Sequence, residues 1–185
     1  QLSNGSTAGD TFGIILALAS GSASALDWDD HRQGMQNAES PWLHSQDLGD
    51  RTNFFLSNTT RLFKLVSLDH GEWIQRNIKI SIEEIRAADY PEIDPYGSFS
   101  VVLRNVRDTD NAPIVIERYD LCNMNPNSPD YVAKKIGDKY MQWSEAERRL
   151  REYGDYPNQS AFVRVVIDDN VANGGAEASA IPFGY

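Results

Sequence analysis

The sequence predicts an α+β domain in which hairpins build a mostly antiparallel sheet, with one or two short helices packed on it. Three observations lead to this class. Short β-branched runs recur from the middle of the chain onward, the segments between them are rich in Gly, Pro, Asn and Asp, and a helix signature follows the clearest strand pair. A chain of 185 residues with 41% hydrophobic residues and four Trp is long enough to bury a core.

The first 60 residues carry the weakest structural signals. Residues 1–25 are predicted to form a strand plus loop, because the apolar run 11–19 suits a buried strand and the Ser/Gly-rich residues after it end that strand. Residues 26–60 show no period of 2 or 3.6. They predict an irregular surface region, with or without a short helix, that is pinned by aromatic side chains such as Trp28 and Trp42.

Residues 61–170 are predicted to form the compact α+β core. Residues 61–68 indicate a strand, residues 69–72 a turn, and residues 73–82 a second strand in which isoleucines alternate with polar residues. We expect these two strands to pair as a hairpin. A single helical turn is expected next, over residues 83–88.

A second hairpin is predicted from strands at residues 99–106 and 114–119, joined by the polar turn 107–112. Within that turn, Asp108–Thr109–Asp110–Asn111 resembles the beginning of a calcium-binding loop. It lacks the Gly and the closing Glu that such a loop has at fixed offsets. A hairpin turn, in which Asp and Asn side chains bind their own backbone, is therefore the prediction.

A short helix is predicted to follow this hairpin. Ser128 is the expected N-cap, Pro129 the first helical residue, and Asp130 a favourable charge near the positive end of the helix dipole. Residues 132–136 supply an apolar stripe, and Gly137 is expected to end the helix with a positive φ.

Residues 140–153 allow two predictions. Ser144–Glu145–Ala146–Glu147 is a capping-box pattern and would start a helix over residues 144–153. The alternative is a hairpin of residues 140–143 with 148–153. Beyond this stretch, residues 162–167 predict a β-branched strand, and the Gly/Ala-rich residues 171–185 predict a loop or linker.

Composition argues against several classes of function. The net charge is −10 and no cluster of Lys and Arg occurs, which disfavours binding to nucleic acid or to an anionic membrane. No apolar run approaches the roughly 18 residues of a membrane-spanning helix. The single cysteine, Cys122, cannot form an intramolecular disulfide and is predicted to be a small buried hydrophobic residue.

No catalytic, cofactor or metal site is predicted. Four residues form an acidic cluster in the N-terminal third, namely Asp27, Asp29, Asp30 and His31. They lack the spacing of a metal-binding loop, so a solvated loop is expected. The other two histidines, His44 and His70, form no metal-binding pair at helical spacing, and no Gly-x-Ser-x-Gly motif nominates a nucleophile.

Two stretches of sequence resemble a known family. The first reads Leu–Cys–Asn–Met–Asn–Pro–Asn–Ser–Pro–Asp–Tyr over residues 121–131, and the second reads Tyr–Pro–Asn–Gln–Ser over 156–160 before an apolar strand. With their surroundings, residues 98–138 and 153–167, they resemble the contractile tail sheath proteins of tailed bacteriophages. The resemblance covers about a third of the chain.

This resemblance implies a structural role and no enzymatic activity. Sheath subunits form hexameric rings around a tail tube in the virion, are assembled in the bacterial cytoplasm, and contract to drive the tube through the host envelope. The chain would be an outer domain, and it would be monomeric alone. Since it begins at Gln1 and ends at Tyr185, we expect it to be a protease-resistant internal fragment of a larger subunit. Similar stretches in sheath proteins join strands, which favours the hairpin for residues 140–153.

The alternative is a carbohydrate-binding or hydrolase-associated β-rich domain. In that case the Trp residues and acids of residues 26–55 would be exposed around a concave, aromatic-lined pocket with convergent polar groups. The sheath interpretation instead predicts that those Trp side chains are buried as anchors of the loop.

Overall fold

The structure, a computed structural model, describes residues 37–47, 52, 55, 59–70, 72–173 and 179–184. All of them belong to one compact unit, residues 37–185. The described elements are β1 (Asn37–Glu39), β2 (Leu43–His44), β3 (Arg61–His70), α1 (Glu72–Asn77), β4 (Ile78–Arg86), β5 (Ser98–Asn105), β6 (Val115–Cys122), α2 (Val132–Ile136), β7 (Tyr140–Ser144), β8 (Arg149–Tyr153), β9 (Val163–Ile167) and α3 (Asp169–Ala172).

The predicted α+β class is confirmed, since antiparallel sheets dominate the structure and the described helices are short. The predicted strand 11–19 and the acidic cluster Asp27–His31 lie outside the described residues. None of the helices in the described ranges has the length and apolarity that crossing a membrane requires.

The first sheet is built around β3. Strands β1 and β2 pair with one edge of β3 and β9 pairs with the other, all in antiparallel orientation. The β3–β9 register places Leu65 opposite Val165. Since about a hundred residues separate these partners in the sequence, no local pattern could predict this pairing.

The second sheet is the antiparallel meander β4–β5–β6. Its central strand β5 is buried on both faces, because Val101, Val102 and Leu103 have no exposed surface. A continuous apolar run is what a strand covered on both faces requires.

The hydrophobic core joins the two sheets and α2. The rings of Phe63 on β3 and Phe99 on β5 stack with their centroids 5.8 Å apart. Helix α2 contributes Val132 and Ile136, which are fully buried. The backbone N–H of Val165 donates to the carbonyl of Gly137 at 2.8 Å, which fixes the end of α2 against β9.

Several predicted elements are confirmed. The hairpin of residues 99–106 and 114–119 corresponds to β5 and β6, with the predicted turn between them. Residues 140–153 form the hairpin β7–β8 and no helix, and the strand predicted at 162–167 is β9.

The predicted hairpin of residues 61–68 and 73–82 is wrong. Strand β3 continues to His70, the expected turn at 69–72 gives way to helix α1, and β4 pairs with β5 instead of β3. The isoleucine pattern is ambiguous here, because Ile74 and Ile78 are four residues apart and share a face in a helix as well as in a strand. Trp73 in α1 stacks on Phe162 with centroids 5.8 Å apart, which adds a long-range contact to the helix.

The helical turn predicted at residues 83–88 is also wrong. Strand β4 runs through Arg86, and its register to β5 shifts between Glu83 and Arg86. Glu84 has a φ of 51° within this irregularity. A β-bulge therefore occupies the place where the sequence suggested a helical turn.

Ser128 is not the N-cap of the helix after β6. Helix α2 starts at Val132, after Tyr131, without a side-chain cap. The Ser128 hydroxyl instead accepts hydrogen bonds from the Asp130 N–H at 3.1 Å and from the Asn123 side chain at 3.0 Å, so it stabilises the turn before the helix. The predicted positive φ of Gly137 is confirmed, at 105°.

The ends of the unit contain more structure than the sequence suggested. Short strands β1 and β2 form within the region expected to be irregular, residues 26–60. Helix α3 begins the segment expected to be loop or linker, 171–185, and Ala180 is buried against the core. The backbone of Gln46 donates to the carbonyl of Ile181 at 2.9 Å, which ties this segment to β2.

Candidate functional site

The hairpin arm, residues 140–153, is a two-stranded sheet of its own. Strands β7 and β8 pair in a regular antiparallel register from Tyr140 opposite Tyr153 to Ser144 opposite Arg149. Among the described residues neither strand pairs with any other, so the arm has two unpaired edges. Unpaired edges present rows of backbone donors and acceptors to a partner.

One face of the hairpin arm is apolar and exposed. Met141, Trp143 and Leu150 are 64%, 51% and 60% exposed. Met141 and Trp143 point to the same side because strand side chains alternate, and Trp143 lies directly opposite Leu150. A contiguous apolar patch of this kind is typical of a surface that binds another molecule.

The turn of the hairpin arm is held by local polar contacts. The Trp143 indole N–H donates to Glu145 at 2.9 Å, while Arg149 and Arg151 both donate to Glu147. All of these side chains are largely exposed, and exposed ion pairs contribute little to stability. These contacts order the hairpin arm without burying its apolar face.

The base of the hairpin arm is fixed by aromatic stacking. The rings of Tyr140 and Tyr153 stack with centroids 5.4 Å apart, and the Arg164 guanidinium lies 4.2 Å from the centroid of Tyr140. Gly154, with a φ of 99°, then lets the chain pass close to the backbone of Asp138. The base of the arm is therefore attached to β9 while its tip projects away from the core.

A cavity of about 310 Å³, the tyrosine cavity, lies beside this base. Its wall includes Tyr131, Tyr140, Tyr156, Asp138, Asp155 and Arg164. Burial raises the pKa of Tyr131 to about 12 and lowers the pKa of Arg164 from its ordinary value. The guanidinium of Arg164 makes no ion pair or hydrogen bond with any other described residue.

A second cavity, of about 270 Å³, lies between β1, β3 and α1. Its wall is mainly apolar, with Leu43, Leu65, Ile74, Ile78 and Val163 among the lining residues. Polar and charged residues also line it, namely Glu39, Ser40, Ser67, Gln75 and Lys79.

The predicted turn at Asp108–Asn111 contains an ion cluster and not a ligand loop. The Asp108 carboxylate accepts from Arg104 through both oxygens, from the backbone of Ile114 at 2.8 Å, and pairs with Lys79 at 2.5 Å. Hydrogen bonding from Arg104 holds the pKa of Asp108 well below its usual range. All acceptor positions of Asp108 thus face groups of the protein itself.

The remaining His and Cys side chains of the described residues do not gather at one place. His44 lies beside Thr59 and His70 beside Asn37, and no group of three or more His, Cys, Asp or Glu that could hold a metal occurs in the described part of the chain. Cys122 is fully buried, as predicted, and burial raises the pKa of its thiol to about 12. A thiol with this pKa is a poor nucleophile near neutral pH.

Trp42 is half-buried beneath two cations. The guanidinium of Arg61 lies 4.7 Å and the ammonium of Lys64 5.3 Å from its ring centroid. Trp42 is thus only partly buried, whereas the sheath interpretation predicted buried loop anchors and the carbohydrate-binding alternative predicted exposed ones. Trp28 lies outside the described residues.

The sequence did not nominate the side chains of the hairpin arm or of the tyrosine cavity. For the arm a signal existed, because Met141 and Trp143 alternate with Gln142 and Ser144, but the capping-box pattern competed with it. For Arg164 there was none, since its position over Tyr140 depends on how β9 and β7 meet in space.

Comparison with known proteins finds no match: neither a family model, nor a curated protein, nor a solved structure is detectably similar to this chain.

Proposed function

We propose that this chain is an outer domain of a contractile phage tail sheath subunit. The observation that carries the proposal is the hairpin arm, whose apolar face and unpaired edges are exposed to solvent. In a lattice of identical subunits, such an arm would bind a neighbouring subunit and bury Trp143 and Leu150. The domain then acts by contact and not by catalysis.

The two stretches that resemble sheath proteins support the proposal because they pack together. Residues 98–138 form β5, β6 and α2, and residues 153–167 lead into β9. The backbone of Gln159 donates to Ile136 at 2.8 Å, and the Ser160 hydroxyl donates to Glu117 at 2.6 Å. The resemblance therefore lies on one continuous body of the domain.

Contraction by such a machine is a change between two packings of the same subunits. Its partners would be other sheath subunits in hexameric rings and the tail tube, in the tail of a virion assembled in the bacterial cytoplasm. A rigid outer domain would move as one body, and the core shared by β3, β5 and α2 provides that rigidity.

Negative-stain electron microscopy of the longer protein proposed to contain this chain tests the assignment. The wild-type protein should form striated hollow tubes of uniform width. Trp143→Ser combined with Leu150→Ser should reduce tube formation strongly. Ile93→Ser is the matched control, because Ile93 is 85% exposed but lies outside the arm. A globular parent that forms no tubes at any salt concentration would refute the sheath role.

If tubes form equally well with the double variant, the sheath role stands but the hairpin arm is not a lattice contact. The same microscopy therefore distinguishes a wrong sheath assignment from a wrong assignment of the hairpin arm as the lattice contact.

Carbohydrate binding is a second candidate function, favoured by the tyrosine cavity. That cavity is concave, is lined by aromatic rings and contains polar groups of both charges. It lies between α2, the hairpin arm and β9, not in residues 26–55 where the sequence suggested a sugar site.

A further inference from the structure

Arg164 lines the tyrosine cavity with a guanidinium that has no hydrogen-bond or ion-pair partner among the described residues. It stands on β9 on the face opposite the buried Val163 and Val165, and its guanidinium is held over Tyr140. Tyr153 also stacks on Tyr140, with ring centroids 5.4 Å apart, so the ring beneath the guanidinium is itself held in place. A guanidinium held in this way keeps its in-plane N–H donors available for a carboxylate.

Two carboxylates line the same cavity. Asp138 accepts from the backbone N–H of Tyr156 at 2.7 Å, and Asp155 at the exposed side makes no hydrogen bond or ion pair with another described residue. These oxygens are acceptors for hydroxyl groups. They also disfavour a ligand with two negative charges, such as a phosphate, near Arg164.

The size of the cavity limits the ligand further. Ligand pockets span about 300 to 1,000 Å³, and the tyrosine cavity measures about 310 Å³. It therefore suits one ring-sized group. The ring of Tyr156, which packs edge-on against Tyr131 at 6.1 Å, adds an apolar wall for such a ring.

We propose that the tyrosine cavity binds an acidic sugar residue, with the carboxylate on Arg164 and ring hydroxyls on Asp138 and Asp155. The proposal names the ligand class for the second candidate function and rests on that function alone. It requires no assembled lattice, so its failure leaves the sheath role untouched.

The test is titration of the isotopically labelled chain with D-glucuronate, followed by ¹⁵N–¹H correlation spectra. We expect shift changes around Tyr156 and at the Arg164 side-chain N–H. D-glucose at the same concentrations should bind at least about tenfold more weakly, because hydrogen bonds to a charged group contribute roughly 1.5–3 kcal/mol.

Arg164→Gln should weaken glucuronate binding at least about tenfold as well. Arg107→Gln is the matched control, since it removes one exposed positive charge outside the cavity. Should Arg164→Gln disturb the fold, seen as loss of spectral dispersion, two measurements on the wild-type chain decide, namely the preference for glucuronate over glucose and the shift of the Arg164 side-chain N–H.

Four results would overturn the proposal. Equal binding of acetate and glucuronate would indicate a simple anion site, and tighter binding of glycine would indicate a site for zwitterions. Equal binding of glucose and glucuronate that is insensitive to Arg164→Gln would leave carbohydrate binding intact and refute the acidic ligand. Absence of binding by every probe would refute the second candidate function together with the proposal.

Discussion

Asp108 shows how a charged residue can stabilise this fold through ion pairs within the protein, without binding a ligand. Its side chain has no exposed surface, but every neighbour within reach donates to it. Arg104 on β5 and Lys79 on β4 both pair with it, so the turn after β5 is tied to two strands of the second sheet. Removing the Asp108 carboxylate would leave Lys79 without this ion pair and Arg104 with only the more exposed Asp110 and Glu83.

We expect Asp108→Asn to lower the thermal stability of the domain clearly at neutral pH. The matched control, Asp110→Asn, should have little effect, because Asp110 is 94% exposed although it also contacts Arg104. Thermal unfolding followed by circular dichroism measures both variants. Equal melting temperatures for wild type and Asp108→Asn would contradict this account.

The same variant should change the pH dependence of stability. Arg104 lowers the pKa of Asp108 in the folded protein. The stability that ionised Asp108 contributes is therefore fully present above about pH 4, where the carboxyl group is ionised in the unfolded chain as well. That contribution is lost as the pH falls further, toward the folded pKa. The difference in melting temperature between wild type and Asp108→Asn should therefore shrink below about pH 4. A difference in melting temperature that grows as the pH falls would contradict this prediction.

A glycine is required at position 137 for two reasons, the positive φ of the backbone and the close approach of Asn158. Its φ is 105°, and a Cβ at this position would lie 2.3 Å from the Cα of Asn158. Gly137→Ala should destabilise the domain by about 3 kcal/mol or more, from backbone strain and overpacking together. Gly184→Ala is the control, because the nearest atom there would be 3.6 Å away. Urea denaturation measures both, and a loss below about 1 kcal/mol for Gly137→Ala would contradict the close approach.

At the level of elements, we expect the backbone amides of the hairpin arm to be less protected from hydrogen exchange than those of the meander β4–β5–β6. Isolated two-stranded sheets are marginally stable, whereas β5 is paired on both sides and buried. We expect backbone amides of β7 and β8 to exchange with solvent far faster than those of β5. Hydrogen exchange followed by mass spectrometry tests this, and equal protection would mean that the arm is covered in solution.

The elements also show where sequence reasoning succeeds. The β5–β6 hairpin was predictable because an apolar strand, a polar turn and a second strand follow each other directly in the sequence. The pairing of β3 was not, because its partners β1, β2 and β9 come from distant segments. The N-cap prediction for Ser128 was wrong because a hydroxyl that can accept a hydrogen bond from a helix N–H can equally accept one from an N–H group of a turn.

The candidate sites were less predictable than the fold. Exposure of Trp143 requires that no other described element packs on that face of the arm. The lack of an ion-pair partner for Arg164 among the described residues depends on how β9 packs against the base of the arm. Neither property is local, so neither leaves a periodicity in the sequence. The turn that the sequence singled out as similar to a calcium loop, Asp108–Asn111, uses the buried carboxylate of Asp108 for ion pairs within the fold.

For the whole molecule, the net charge and the exposed apolar face of the hairpin arm have opposite effects on self-association. A net charge of −10 repels a second copy, while Trp143 and Leu150 favour association. We expect a monomer at about 0.1 M salt, where the Debye length is about 10 Å, and weak self-association near 1 M, where it is about 3 Å. Sedimentation velocity measures this, and Trp143→Ser with Leu150→Ser should abolish the salt effect. Salt-induced association that persists in the double variant would place the contact elsewhere.

The segment that ties Gln46 to Ile181 also pairs Pro182 with Ser45 in an isolated bridge, so residues 179–184 lie against the segment that follows β2. Strand β9 also pairs with β3, far earlier in the chain. A proteolytic cut at the exposed turn 145–148 would therefore leave two pieces that remain held together by these contacts.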